Sequence, residues 1–107
     1  MNRVELLVVV DTFQLTGIGL TFMPDFAVPP QWKNRAEEVT VVTPTGLSFE
    51  APAQFNITHF NIRDPSVSAD RRWRVLVTLP ATSKDRVPIG SRILVSPETR
   101  AALRADA

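Results

Sequence analysis

The residues best suited to ligand chemistry lie in an arginine-rich stretch at the start of a predicted strand. The run Asp70-Arg71-Arg72-Trp73-Arg74 places three arginines around one indole ring. Guanidinium groups grip phosphates with fork-shaped donors, and a flat aromatic ring stacks on nucleic-acid bases. Arg71, Arg72 and Arg74 are therefore the candidate residues for binding nucleic acid. The competing interpretation, which we favour, puts Trp73 in the core as the first inward residue of its strand and leaves the arginines in solvent.

A second candidate surface is the proline-rich segment Pro24–Trp32, PDFAVPPQW. Phe26, Val28 and Trp32 lie there in a region without a strand pattern. Exposed aromatic side chains on a rigid loop are typical anchors for protein partners, so these three are the candidate protein-binding residues. The same side chains could instead cap one mouth of a β-barrel, and we favour that interpretation by a small margin.

Catalysis has little support in the sequence. His59 is the only histidine, and no G-x-S-x-G motif supplies a nucleophile for it. Along its predicted strand, Phe55 and Ile57 lie on one face, whereas Phe60 and Ile62 lie on the other. This change of apolar face near His59 predicts a bulge there or a strand that faces two environments. Without cysteine or any regular spacing of metal ligands, we predict no enzyme activity, no cofactor and no metal site.

Composition sets broad bounds on the protein. A length of 107 residues with 44% apolar residues fits one globular domain, which we place at residues 1–107. A formal net charge of +1 gives no global attraction for nucleic acid or anionic membrane. The apolar run Leu6–Val10 is too short to span a membrane. It is followed by Asp11, whereas the apolar region of a secretory leader is longer and ends in small residues. We therefore predict a cytoplasmic protein.

The elements that must position these residues are short β-forming runs separated by turn residues. Gly17 and Gly19 bend the first run, and Met23-Pro24-Asp25 is predicted to end it. Thr43-Pro44-Thr45-Gly46 predicts a hairpin turn, whereas Ala51-Pro52-Ala53 predicts an interruption. The strands predicted ahead of the arginines cover residues 4–10, 12–16, 20–22, 37–43, 47–50 and 54–62.

The stretch Trp73–Val95 carries the most specific pattern. Trp73, Val75, Val77 and Leu79 alternate with other residues, as in a strand with one buried face, and the following proline should end it.

The connection after that strand should stay compact. Thr82 or Ser83 is predicted to cap one helical turn over residues 84–86, and Val87 to anchor that turn in the core. Val87-Pro88-Ile89-Gly90 suits a type I turn, with proline second and glycine fourth. A strand follows at 92–95. Ser96 then reads as the N-cap of a short helix over residues 97–105, with proline at its first position.

Read in order, the chain resembles the second domain of translational GTPases such as elongation factor Tu. The resemblance rests on DTFQLTGIGLTF at 11–22, EEVTVV at 37–42 and WRVLVTLPATSKDRVPIGSRIL at 73–94. It implies a small closed antiparallel six-stranded β-barrel over residues 4–96, followed by the short helix. There is no G-x-x-x-x-G-K-[ST] phosphate loop, so no GTPase activity is implied. No functional residue of that family carries over to this chain.

Together these observations predict a non-catalytic, stand-alone β-barrel that binds another protein through loops at one end. The alternative is an RNA- or tRNA-binding accessory domain that uses the arginine-rich stretch. No membrane association is predicted, and the sequence leaves the oligomeric state open.

Overall fold

The computed structural model describes residues 2–59 and 73–104, which form an antiparallel sheet and a short C-terminal helix. The strands confirm the mainly-β class that the sequence predicted. They form where apolar and β-branched residues recur along the predicted runs. A 3₁₀ turn, Lys84–Arg86, lies between the last two strands, and the helix α1 covers Pro97–Leu103. The strands are β1 Val4–Val8, β2 Asp11–Leu15, β3 Gly19–Ala27, β4 Arg35–Val42, β5 Ser48–His59, β6 Trp73–Leu79 and β7 Arg92–Val95.

The sheet is an open half-barrel, so the predicted closed six-stranded barrel is wrong. Its seven strands lie in the order β1-β7-β4-β5-β6-β3-β2. The end strands β1 and β2 each pair on one side only, β1 with β7 and β2 with β3. A closed barrel needs a further ladder between the two end strands, and the described residues form none.

The opening lies at the junction of β1 and β2, which the sequence predicted as strands 4–10 and 12–16 separated by a single residue. The Val9 N–H donates to the Ser91 carbonyl at 2.8 Å, whereas the Val10 N–H donates to the Met23 carbonyl at 2.9 Å. Successive residues therefore bond to opposite ends of the sheet. The chain itself, and not a strand ladder, connects the two ends.

Strand β5 runs without a break through Pro52, where the sequence predicted an interruption. Pro52 pairs with Glu38 on β4, and the pairing of β5 with β6 begins only at Gln54. Because no second strand lies beside Pro52, its missing N–H costs no ladder hydrogen bond. The pairing with β6 is regular as far as His59 opposite Trp73, so the bulge predicted near His59 is not seen there. Residues 60–62 of the predicted strand lie outside the described residues.

Strand β3 likewise continues past the proline that was predicted to end it. Phe22 pairs with Val77 and Phe26 with Val75, so three residues of β3 stand opposite one residue of β6. The peptide bond between Met23 and Pro24, inside this irregular segment, is cis. Pro24 therefore lies in a bulge-like segment that needs no regular pairing with β6. Pairing of β3 with β6 resumes at Phe26, whose apolar side chain again faces the core.

The core lies on the concave face of the sheet. Phe22 on β3, Val77 on β6 and Phe55 on β5 are directly opposite one another and fully buried. Val87, predicted as a core anchor, is also buried. Trp73 was expected in the core but is 49% exposed. Val75, Val77 and Leu79 are buried as predicted, but Leu76 and Thr78 are buried as well, so this part of β6 is covered on both faces. Trp73 is the first residue of β6 and precedes the buried stretch.

Helix α1 is fastened to the sheet by a carboxylate from β4. The Ser96 hydroxyl accepts from the Thr99 N–H at 3.3 Å, which confirms the predicted N-cap. Glu37 accepts from the Ser96 N–H at 3.0 Å, from the Ser96 hydroxyl at 3.2 Å and from the Thr99 hydroxyl. The helix ends at Leu103, whose side chain is buried against the core.

Replacing Glu37 by alanine is therefore expected to lower the free energy of unfolding by about 1–2 kcal/mol, because buried polar groups at the start of α1 lose an acceptor. Thermal unfolding followed by circular dichroism measures this change. Glu98→Ala is the matched control, since Glu98 lies exposed in the first turn of the same helix. Equal losses in the two variants would show that Glu37 acts only through its charge near the helix.

Candidate functional site

The three residues predicted to bind a protein partner lie around β3 and the loop that follows it. Phe26 is only 7% exposed and takes part in the core. Val28 and Trp32 are half-buried and pack against that core. This position agrees with capping by the loop and leaves little of their apolar surface available to a partner.

Trp32 is further enclosed by its neighbour in the loop. The Arg35 guanidinium lies over the indole ring, 5.0 Å from its centroid. The indole N–H is buried and has no hydrogen-bond partner among the described residues. The ring is thus held between the core and a cation, an arrangement that fixes the loop.

The predicted nucleic-acid site is described only in part, because Arg71 and Arg72 lie outside the described residues. Arg74 donates to both carboxylate oxygens of Asp25, from Nε at 3.1 Å and from Nη2 at 3.3 Å. This bidentate pair uses two of the five guanidinium N–H groups and places a carboxylate beside the cation. Binding of RNA by this stretch stays a prediction.

Other kinds of site receive no support from the described part of the chain. Residues 2–59 and 73–104 contain no group of three or more potential metal ligands. Within those residues, no helix has the length and apolar character needed to cross a bilayer.

The large apolar side chains with the highest exposed fractions lie in two turns that were not predicted as binding sites. Leu47, in the hairpin between β4 and β5, is 69% exposed, and Ile89, in the connection from β6 to β7, is 63% exposed. No other large apolar side chain among the described residues is as exposed as these. Scattered exposed apolar residues are normal on a protein surface, so the exposure of these two side chains does not by itself define a binding site.

A cleft of about 400 Å³ lies between the two turns, and we call it the turn cleft. Side chains from both the β4–β5 hairpin and the β6–β7 connection line it. They include Thr43, Leu47, Phe49, Asp85, Arg86 and Pro88.

The hairpin wall of the turn cleft is fixed by hydrogen bonds around Thr43. The Gly46 N–H donates to the Thr43 carbonyl at 3.0 Å, which confirms the predicted turn. The Leu47 N–H donates to the Thr43 hydroxyl at 3.1 Å, and the Thr43 N–H donates to the Leu47 carbonyl at 2.8 Å. Leu47 is therefore exposed on a backbone that is held in place.

The opposite wall begins with the predicted helical turn at residues 84–86. Its backbone bonds run from the Arg86 N–H to the Ser83 carbonyl at 3.1 Å and from the Val87 N–H to the Lys84 carbonyl at 3.2 Å. Ser83 precedes the turn, but its hydroxyl makes no capping bond, contrary to that part of the prediction. The buried side chain of Val87 anchors this wall to the core.

The following turn lies one residue later than predicted. The Ser91 N–H donates to the Pro88 carbonyl at 3.1 Å, so the turn comprises Pro88–Ser91 and Gly90 is its third residue, with φ of +95°. A positive φ at that position is characteristic of a type II turn, not of the predicted type I. A β-carbon at Gly90 would lie 3.2 Å from Cγ of Pro44, so the two walls of the turn cleft touch there.

A cation and an aromatic ring join the two walls. The Arg86 guanidinium lies over the Phe49 ring, 4.1 Å from its centroid. Such contacts orient the guanidinium plane while leaving its N–H groups able to donate. The adjacent Asp85 has its pKa lowered, mainly by the Ser83 hydroxyl and next by its own backbone N–H, so it is ionised at neutral pH.

The sequence contained only an indirect signal for this site. Alternation placed Leu47 and Phe49 on one face of a strand, but it did not reveal that Arg86 covers one of them and that the other is exposed.

Comparison with known proteins identifies no relative for this chain. No protein-family model, no curated protein and no solved structure matches it. The resemblance to the second domain of translational GTPases therefore stays a hypothesis from sequence motifs.

Proposed function

We propose that this protein is a protein-interaction module that binds its partner at the turn cleft. The observation that carries the proposal is Leu47, an apolar side chain that is 69% exposed and lines the cleft together with Phe49 and Pro88. Apolar anchors are effective in binding when they are already held in place, because less side-chain and loop entropy is lost on association. The sequence also predicted a protein-interaction module, but with Phe26, Val28 and Trp32 as its anchors. Those residues precede β4, whereas the turn cleft lies beyond the other end of that strand.

The chemistry of the turn cleft favours recognition over catalysis. Hydroxyl groups of Thr43 and Thr45 bond to each other at 3.0 Å. The remaining lining residues are the apolar Leu47, Phe49 and Pro88 together with Ser48, Asp85 and the ring-stacked Arg86, and no histidine or lysine is among them. Such a surface can hold a partner but offers no activated nucleophile.

Leu47→Asp is expected to reduce capture of the native partner at least about tenfold, because a charge replaces an apolar anchor at the cleft. Tagged protein isolated from its source cells and analysed by quantitative mass spectrometry measures this loss. The thermal midpoint should hardly change, since the Leu47 side chain is largely exposed.

The matched control is Ile18→Asp, which alters another exposed apolar residue, 56% exposed, in the turn between β2 and β3. It should leave the captured proteins unchanged. If Ile18→Asp removes the partner and Leu47→Asp does not, the binding surface lies at the β2–β3 turn and the proposal is wrong.

A further inference from the structure

A second cleft, of about 440 Å³, lies on the face of the sheet opposite the core, and we call it the outer groove. Thr21, Thr78 and Gln54 lie opposite one another on β3, β6 and β5, each one residue away from the row that faces the core. Because successive side chains of a strand point to opposite faces, these three face outward, and all three line the groove.

The residues that line the outer groove differ in exposure. Thr21, Thr78 and Leu76 are at most 6% exposed, and the two threonine hydroxyls hydrogen-bond to each other at 3.1 Å. Leu15 and Ile18, at the β2–β3 turn, are 38% and 56% exposed. A ligand in the groove therefore meets buried groups as well as an accessible apolar turn.

Three carboxamide side chains also line the outer groove, and only part of their hydrogen-bonding capacity is used. Asn34 Oδ1 accepts from the Ile57 N–H at 2.8 Å, and Gln54 Oε1 accepts from Asn56 Nδ2 at 3.3 Å. Within the described part of the chain, Asn34 Nδ2, Gln54 Nε2 and Asn56 Oδ1 have no hydrogen-bond partner. The groove thus offers donors from two amides and an acceptor from a third.

The charge of the lining indicates the charge of the ligand. None of the described residues that line the outer groove is charged. The turn cleft, in contrast, is lined by Asp85 and Arg86, and a further cleft beside β3 by Asp25, Arg74 and Arg104. A charged ligand group in the outer groove would lose hydration without gaining an opposite charge, so the groove favours an uncharged ligand.

We propose that the outer groove binds a neutral small molecule that carries an amide group beside an apolar ring or chain. The amide supplies a carbonyl oxygen for the carboxamide donors and an N–H for the Asn56 oxygen. The apolar part packs against Leu15 and Ile18. This site is independent of the proposed function, because no residue that lines the turn cleft lines the outer groove.

Size and charge both disfavour a macromolecule in the outer groove. Its volume lies within the range of about 300–1,000 Å³ that is usual for small-molecule sites. Stable protein interfaces bury about 800 Å² on each partner, which is much more than such a groove provides. A nucleic acid would bring phosphates, for which the described lining residues offer no cation.

Backbone amide NMR spectra of the isotope-labelled protein, titrated with three phenyl compounds of similar size, test the proposal. The probes are benzamide, which is neutral, benzoate, which is an anion, and benzylamine, which is a cation at neutral pH. Benzamide is expected to shift the resonances of Thr21, Gln54, Asn56 and Thr78 to saturation. Benzoate and benzylamine should bind at least about tenfold more weakly, because each brings an uncompensated charge into the groove.

Gln54→Leu and Asn56→Leu are each expected to weaken benzamide about five- to tenfold, since a hydrogen bond is lost. Gln54→Glu keeps the shape of the side chain but adds a carboxylate, so benzylamine should become the tightest of the three probes. Gln14→Leu is the matched control, because Gln14 is an exposed glutamine that does not line the groove. It should leave the affinity for benzamide unchanged, and thermal midpoints of all variants exclude unfolding.

Three results would overturn the inference. The first is the absence of benzamide-dependent shifts at the groove. The second is equal binding of the three probes, or an unchanged benzamide affinity in Gln54→Leu and Asn56→Leu, since apolar contact alone would then explain binding. The third is tighter binding of the uncharged peptide N-acetyl-trialanine methylamide than of benzamide, which would assign the groove to a peptide backbone. The proposed function is tested separately through Leu47, so its failure and the failure of this inference are distinguishable.

Discussion

Phe55→Ala is expected to lower the free energy of unfolding by about 3–5 kcal/mol, the usual cost of deleting a fully buried phenylalanine. Phe55 lies in the middle of the sheet, opposite Val77 on β6 and Arg35 on β4, and its side chain is fully buried. The sheet on both sides restricts collapse around the cavity, which favours the upper part of that range. A domain of this size has a total stability of roughly 5–15 kcal/mol, so a large part of it would be lost.

Urea unfolding followed by circular dichroism measures this change, with Phe13→Ala as the control. Phe13 is the same residue type but is 42% exposed and lies on the end strand β2. Its replacement should cost no more than about 1 kcal/mol. Equal losses for the two variants would contradict the position of the core on the concave face of the sheet.

Gly19→Ala is expected to cost about 3 kcal/mol, the second largest effect, because two physical penalties add. Gly19 has φ of +120°, a conformation that costs a residue with a β-carbon about 1–3 kcal/mol. The added carbon would also lie 2.6 Å from Cα of Pro80 and 3.0 Å from the Leu79 carbonyl oxygen. Both are backbone atoms, so the start of β3 and the end of β6 would have to separate.

Gly17→Ala separates the two penalties. Gly17 also has a positive φ, +78°, but nothing lies within 4 Å of an added β-carbon. It should therefore cost only the conformational part, about 1 kcal/mol. Urea unfolding of both variants gives the difference, and a loss in Gly19→Ala no larger than that in Gly17→Ala would contradict the close contact between β3 and Pro80.

Much of the fold could be predicted from local residue patterns. The predictions that failed concern positions where the conformation depends on which strand is paired alongside. Alternating apolar residues predicted the hairpin of β4 and β5, because burial of one face imposes that alternation. The same pattern predicted β6, although residues 75–79 of that strand are buried on both faces. Pro24 and Pro52 were predicted to end or interrupt strands. Pro52 does neither, because β5 has a neighbour only on its β4 side there and no β6 hydrogen bond is lost. Strand β3 continues past Pro24, although its pairing with β6 is irregular between Phe22 and Phe26. The sequence does not show which strand lies beside each proline.

The candidate sites likewise combine features that local sequence predicts with contacts between distant residues that it does not. Val28 and Trp32 lie in the loop after β3, as predicted, and pack against the core. Phe26 was expected in the same region without a strand pattern, but it lies on β3 opposite Val75 and is buried. Arg74 was identified as a free cation for phosphate, yet Asp25, 49 positions earlier, pairs with it. Pairs this distant in sequence carry no local signal.

The turn cleft was not predicted, although each of its turns was. Its walls come from residues 43–49 and 85–88, which are adjacent only because β4 and β7 are neighbours in the sheet. Pro44 and Gly90, one from each turn, lie close together there.

The sequence by itself determined a mainly-β domain, the position of most strands and turns, the capped C-terminal helix and the lack of any catalytic motif. These features depend on residues within a few positions of one another, where alternation, proline, glycine and capping hydroxyls act directly. Only the tertiary structure decided that the sheet stays open, that Trp73 lies outside the core, and that Leu47, Phe49 and Arg86 form one cleft. Each of these depends on contacts between distant segments, and their geometry is set by strand order and register.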